Sequence, residues 1–334
     1  MDISVLDYAM IDEGETPTKA LANTVALAQH ADQLGYKRFW MAEHHNVPAF
    51  ASSSPALIAM QIAAQTKQIH VGSGGVMLPH YSPLTVAENF RVLEAYYPGR
   101  VDLGMGNNPG TRLVKRALHD GTFEGSDYLD AIATVKDYLE TAGPIATTDV
   151  AAQPEVDRVP EMWMLSTSVA NAIQCAKLGI SYCYGLFPYA REDGIEVGKA
   201  AVKAYREHFQ PSASQKAPHT MAAIFVTVAE DDETAKQLTM ALDWWLLGRD
   251  DFSYFKQFPS LETGAHYSAT ASEQKQALAN RTRMAHGTIK EVTDQLSTLM
   301  TTIAADELLV MPLIPGIERR KQALTLLKAA LMDK

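Results

Sequence analysis

The chain has 334 residues, is 47% hydrophobic and carries a formal net charge of −10, which is enough apolar material for one large core or two ordinary domains. The acidic balance gives a nucleic acid or an anionic membrane no electrostatic help, and no apolar run reaches the ~18 residues that suggest a membrane span. Two cysteines, Cys175 and Cys183, are too few for a disulfide framework, and Met1-Asp2-Ile3-Ser4 lacks the basic and apolar regions of a signal peptide, so a reducing, cytoplasmic location is expected.

Strand patterns begin near Asp2, Lys37, Ile69 and Val101, at intervals of 32 to 35 residues. That interval is the length of one β-α unit, and strictly alternating units predict a parallel sheet. Thr16-Pro17, Ser54-Pro55 and Ser82-Pro83 each place a hydroxyl at N-cap and a proline at the first helical position. Gly35 and Gly99 are read as the left-handed stops of the first and third helices. Leu27, Ala31 and Leu34 recur at helical spacing, as do Val86, Phe90, Leu93 and Tyr97.

In the second half, strands are expected at Met162–Leu165, Ile180–Tyr184, Met221–Val228 and Glu307–Met311, with helices over 169–178, 190–209, 232–247, 290–302 and 317–332. Eight β-α units favour a closed (β/α)₈ barrel spanning 1–334 as one domain; a single misread strand would leave a seven-stranded open sheet. Two stretches exceed ordinary connections, about 107–123 after strand four and about 248–288 after strand seven. The second carries Phe252, Tyr254, Phe255, Phe258, His266 and Tyr267, and suits either a lid or a surface excursion packed on its own aromatics. The helix over 54–66 is apolar nearly all round, which predicts cover on both sides, by a two-fold partner or by the chain's own insertion.

Reactive groups of such a barrel collect where its strands end. Strand two ends in Glu43-His44-His45, where a histidine is placed either to exchange protons with a ligand or simply to pack; adjacent histidines diverge and chelate poorly. Strand three ends in Gly72-Ser73-Gly74-Gly75, which suits close approach of a ligand ring and lacks dinucleotide-binding spacing; a plain glycine turn is the simpler reading. Strand four ends in Gly104-Met105-Gly106-Asn107. Strand five ends in Ser166-Thr167-Ser168 at a helix start, which is either a phosphate site or an ordinary N-cap. Strands five, six and eight offer no histidine or carboxylate at their ends, so no metal site is expected.

Together, Gly35-Tyr36, Trp40-Met41-Ala42-Glu43-His44-His45, Val71 to Pro79, Pro83-Leu84 with Val86-Ala87-Glu88, and Pro98-Gly99-Arg100-Val101-Asp102-Leu103-Gly104-Met105-Gly106 resemble the bacterial-luciferase-like flavin enzymes, particularly the single-chain group close to the luciferase α subunit. The match is dense to about Gly110 and thinner beyond. The resemblance implies FMN across the C-terminal mouth of a TIM barrel, its reduced form delivered by a flavin reductase, and a monooxygenase acting on a small organic substrate. His44 matches the histidine that assists the flavin's reaction with oxygen, and Gly74-Gly75 matches a bulge under the flavin ring, often with a cis non-prolyl bond. Gly106 and Asn107 match cofactor-binding positions, as do Ser166, Thr167 and Ser168 in the phosphate segment. Two departures stand out. Asn107 replaces an arginine common in relatives, with Arg112 the nearest substitute, and Ser166-Thr167 replaces a glycine-serine pairing. Alternatives on the same fold are a deazaflavin-dependent hydride-transfer enzyme and a non-catalytic flavin-binding subunit.

Overall fold

The computed structural model describes residues 1–119, 127–188, 190–247 and 255–332. The elements follow in chain order: β1 (Asp2–Asp7), α1 (Pro17–Leu34), β2 (Arg38–Met41), α2 (Pro55–Gln65), β3 (His70–Met77), α3 (Pro83–Tyr96), β4 (Val101–Gly106), α4 (Arg112–His119) and α5 (Asp127–Glu140). Then come β5 (Glu161–Ser166), α6 (Val169–Leu178), β6 (Ser181–Leu186), α7 (Gly194–His208), β7 (Thr220–Ala229), α8 (Asp232–Leu247), α9 (Leu261–His266), α10 (Ala271–Arg281), β8 (Met284–Thr288), α11 (Ile289–Ile303), β9 (Glu307–Met311) and α12 (Ile317–Leu331). Eight strands close a parallel barrel in the cyclic order β1-β2-β3-β4-β5-β6-β7-β9, the last pairing back to β1. The fold is therefore a (β/α)₈ barrel.

The local signals mostly act as the sequence implies. Proline opens α1, α2 and α3, and Gly35 ends α1 at φ +81°. Thr16 accepts a hydrogen bond from the Lys19 amide. Two details differ. Ser54 and Ser82 make no side-chain cap, although each precedes a proline just as Thr16 does. Gly99 has φ +76° but lies beyond the end of α3 at Tyr96, where its amide meets the Glu94 carboxylate.

A ninth strand, β8, went unseen in the sequence. β7 is ten residues long, and only its first half closes the barrel, pairing with β6 and β9. Its second half stands above the rim and pairs with β8, from Phe225 opposite Met284 to Ala229 opposite Thr288. The long excursion over 248–288 thus holds α9, α10 and β8, which pack with α8 into a cap. Asp243 of α8, fully buried, anchors it by accepting from Arg281 Nε at 2.9 Å. Residues 248–254, with Phe252 and Tyr254, lie outside the described residues, as does the part of the earlier excursion beyond 119. The earlier excursion contains α4.

The barrel interior is layered along each strand by period-two alternation. At the base Arg38 meets carboxylates from three other strands: Asp102 at 2.8 Å, Glu161 at 2.9 Å and Glu307 at 3.1 Å. Two residues on, Trp40 and Trp163 stack edge to face at 5.4 Å, and Trp40 donates to Asp102 at 2.8 Å. Two residues further, Ala42 and Leu165 reach the rim. His70, Asp102 and Glu161 would by themselves suit a metal ion, but the Arg38 guanidinium already bonds both carboxylates.

Replacing Arg38 with methionine takes the guanidinium from the fully buried carboxylates of Asp102 and Glu307. The expected cost is about 3–5 kcal/mol, read as a lowered urea midpoint; an unchanged midpoint refutes the clamp.

Candidate functional site

The residues expected to carry chemistry stand at one end of the barrel. His44 follows β2, Gly74-Gly75 lie in the upper half of β3, Gly106-Asn107 end β4, and Ser166-Thr167-Ser168 end β5. These four strands are consecutive neighbours, so the span from His44 to Ser166 is three strand spacings, roughly 14 Å.

The Gly74-Gly75 peptide is cis, and the β3–β4 register shifts between Ser73 and Val76. Packing alone demands both glycines. A Cβ at Gly74 would lie 2.8 Å from Leu6 Cδ1 and 2.9 Å from a Trp40 ring carbon, and one at Gly75 would lie 2.8 Å from the Gly104 carbonyl oxygen. The consequence is backbone, with no side chain, in a buried stretch near the end of β3.

His44 and His45 diverge. The His45 ring turns to Glu43 at 2.7 Å, and Glu43 also accepts from the Tyr81 hydroxyl at 2.9 Å and the Met77 amide at 3.0 Å. That carboxylate ties the exits of β2 and β3 together. His44 turns into an aromatic mouth, with ring centroids 4.6 Å from Tyr8 and 5.0 Å from Phe50. Its Nδ1 is enclosed and has no hydrogen-bond partner among the described residues. Burial, reinforced by His45 beside it, pushes His44 down to about 4, so the ring is neutral at pH 7.

The mouth is widened and roofed by residues that the sequence did not single out. Tyr8 follows Ser4 and Leu6 on the inward face of β1, so alternation alone would have found it. Phe225 and Phe187 continue the wall beside Tyr8. Phe50 comes from the loop after β2, and Trp245 of α8 covers it at 4.9 Å, itself backed by Phe258. Phe50 and Trp245 gave no sequence signal, because only the tertiary fold brings them to His44.

At the β5 exit Ser168 caps α6, accepting from the Asn171 amide at 3.2 Å. Ser166 accepts from the Asn171 side chain at 3.0 Å and the Ser168 amide at 3.2 Å. Both serines use their oxygens as acceptors here. Thr167 is half-buried, Gly106 is buried and Asn107 is exposed. An orphaned buried imidazole nitrogen, bare backbone and a donor-rich helix start fit a flat aromatic cofactor with an anionic tail.

Comparisons with known proteins identify the family and the fold. Residues 1–307 match the family model of the luciferase-like monooxygenases. The protein YwcH of Bacillus subtilis (strain 168) is 37% identical over the whole of both chains. The N-acetyl-S-alkylcysteine monooxygenase of the same organism is 32% identical, covering 99% of this chain and 98% of its own. Among solved structures, apo-MsnO8 superposes with TM-score 0.86 at 31% identity, over 99% of this chain and 98% of its own. Two distant structures share the fold: the oxygenating constituent of 3,6-diketocamphane monooxygenase from Pseudomonas putida in complex with FMN (TM-score 0.71, 16% identity, 100% and 98% covered), and an F420-dependent secondary alcohol dehydrogenase (TM-score 0.73, 15% identity, 99% and 98% covered). Among the described residues no helix is long and apolar enough to cross a membrane.

Followed by NMR, His44 is expected to titrate well below 6. A midpoint at or above the ordinary 6.5 would mean that the ring is not enclosed.

Proposed function

Because this chain belongs to the luciferase-like monooxygenase family of oxidoreductases, we propose that it uses reduced FMN and molecular oxygen to oxygenate a small, largely apolar organic substrate, in the manner of the single-chain enzymes close to the luciferase α subunit. The observation that carries the reading is the enclosed, unpartnered Nδ1 of His44 in an aromatic mouth, beside the bare Gly74-Gly75 backbone. Bound flavin supplies the redox chemistry, and the protein supplies orientation, electrostatics and dryness.

The chain's own residues divide that work. The Gly74-Gly75 backbone and Gly106 line the place of the flat ring. Ser166, Thr167, Ser168 and the first two amides of α6 hold a phosphate, since the third, of Asn171, is already capped by Ser168. Tyr8, Phe50, Phe225 and Trp245 exclude water. A neutral His44 offers Nδ1 to hold or move a proton, which a fixed cation would not do. In this reading a separate flavin reductase supplies the reduced FMN. The relative named N-acetyl-S-alkylcysteine monooxygenase makes S-alkyl thioethers the first substrate class to try.

The test is an anaerobic titration with reduced FMN and with a reduced deazaflavin, followed by oxygen uptake in the presence of a thioether. The expected outcome is FMN binding and oxygen consumption with one oxygen atom gained by the product. His44→Ala should then lower turnover by roughly 10²–10⁴-fold. Unchanged turnover removes the histidine's role, and deazaflavin oxidation without oxygen uptake replaces the reading with hydride transfer.

The chain is further taken to act as a homodimer through the outer face of α2. That helix is apolar nearly all round, yet Leu57 is 74% exposed, uncovered by any described residue of the chain's own insertion. Sedimentation is expected to give about twice the 36.6 kDa chain mass, falling to one chain in Leu57→Glu. A monomeric wild type overturns this.

A further inference from the structure

β1 ends at Asp7, yet the residues that follow it, Tyr8 to Asp12, are all buried. A connection between elements ordinarily runs over the surface. This one turns at Ala9, whose φ of +48° is uncommon for a residue with a side chain, and then runs as the middle line of a three-stranded ladder. On one side the Ile11 amide donates to the Ala49 carbonyl at 2.8 Å and the Ala51 amide to the Ala9 carbonyl at 2.9 Å. On the other side the Phe258 amide donates to the Ile11 carbonyl at 2.8 Å and the Glu13 amide to the Phe258 carbonyl at 2.9 Å. Met10 therefore stands opposite Phe50, and Asp12 opposite Phe258.

The two outer lines carry Phe50 and Phe258, the rings on either side of Trp245. Met10 and Phe50 face the same way across the ladder, and both belong to the apolar cluster that holds Tyr8, Trp245 and Phe258. The His44 amide donates to the Ser52 carbonyl at 3.0 Å, one residue beyond the ladder. Main-chain bonds thus join the exits of β1 and β2 to the cap and fix the rings that enclose His44.

Side chains of the same loop hold the cap. The Glu13 carboxylate accepts from the Ser260 amide at 3.0 Å and the Thr263 hydroxyl at 2.7 Å, and Gln257 bonds the Gly14 amide and the Glu15 carbonyl. Glu15, beyond the ladder, accepts from Asn23 of α1 at 2.9 Å. Within the ladder the link to the barrel wall is Asp12, whose two oxygens accept from Arg320 of α12 at 3.3 and 2.9 Å. Both partners are buried, and Arg320 also donates to the Ile314 carbonyl at 3.3 Å. Helix stability does not call for this arginine, which is the fourth residue of α12, near the end where the helix dipole disfavours a cation. A buried ion pair seldom exceeds apolar side chains in net stability, but its two-pronged bond sets a direction that apolar packing leaves free.

We infer that Asp12 is a positioning residue: paired with Arg320, it seats the loop after β1 against the barrel wall, and the loop in turn holds Phe50 and Phe258 so that Nδ1 of His44 stays enclosed. The inference goes beyond the flavin reading and does not depend on it.

The test uses the full chain without cofactor and two readouts: amide hydrogen exchange at pH 7, and the His44 midpoint by NMR. The variants are Asp12→Asn, the apolar pair Asp12→Leu/Arg320→Met, and a control Ile132→Ala in the buried face of α5 across the barrel. None alters His45 or Tyr8, the titratable groups against the His44 ring. In Asp12→Asn and in the apolar pair, the Ile11, Ala51 and Phe258 amides should exchange about tenfold faster relative to amides of β2 and β3, as local opening requires. The His44 midpoint should rise from about 4 to about 5 or higher as water reaches the ring. The control should lower the urea midpoint and leave both readouts unchanged. Should Asp12→Asn fail to fold, the apolar pair decides alone, because it leaves no buried charge unpaired. An apolar pair with either readout at its wild-type value, or a control that moves both as far, overturns the positioning role and leaves the flavin reading standing.

Discussion

The Arg38 guanidinium at the barrel base is the contact on which the rest of the arrangement depends. Strand alternation points Asp102, Glu161 and Glu307 into the barrel, and each carboxylate taken out of water costs several kcal/mol unless it is paired and hydrogen-bonded. A planar fork that can face several carboxylates at once answers that cost where a lysine point charge would not. Ser4 also donates to Glu307 and Trp40 to Asp102, and the guanidinium lies 4.9 Å over the Trp163 ring. The base is thereby sealed by charge and then by two indoles, so a ligand reaches the interior only from the opposite end.

At that opposite end the length of β7 takes over. Had it stopped at Phe225, level with Met311 of β9, the rim would be open to solvent on that side. Its extra turns of strand carry β8, and β8 holds the cap of α8, α9 and α10 over the mouth. A continuous chain of rings then runs from the cap to the candidate acid-base group: Phe258, Trp245, Phe50, His44 and Tyr8. The dryness of the mouth follows from strand length more than from any residue beside His44.

The legible part of the sequence is the part governed by local rules. Proline at the first helical position, left-handed Gly35 and strand starts near Asp2, Lys37, Ile69 and Val101 report short-range backbone preferences, and each element lies within a residue or so of its expected place. The barrel strands of the second half were equally visible, because Met221–Val228 and Glu307–Met311 are nearly continuous apolar runs buried on both faces. β8 was not, since Met284-Ala-His-Gly-Thr288 is short, half polar and paired on one side only. The same division runs through the site. His44, Gly74, Gly75 and the β5 serines are marked by strand-end position, whereas Phe50 and Trp245 come from a loop and a helix whose meeting depends on the closed fold. Ser54 and Ser82 show the limit of reading caps by residue type, because the same hydroxyl-proline pair forms a cap at Thr16 and none at these two.

Two histidines show how the fold assigns chemistry to its ends. His219 at the base is also partly desolvated, which opposes its charge, but hydrogen bonds to Glu161 and Glu307 win and push it up to about 9. Its share of stability is full below about 6.5 and is lost as pH rises through about 9. His44, with rings in place of carboxylates, goes the other way: its share is full above about 6.5 and is lost as pH falls through about 4. Between those limits the base holds a protonated, salt-bridged imidazole and the mouth a neutral one. One end of the barrel is thus committed to holding charge, while the other keeps a proton acceptor uncharged in a dry aromatic pocket.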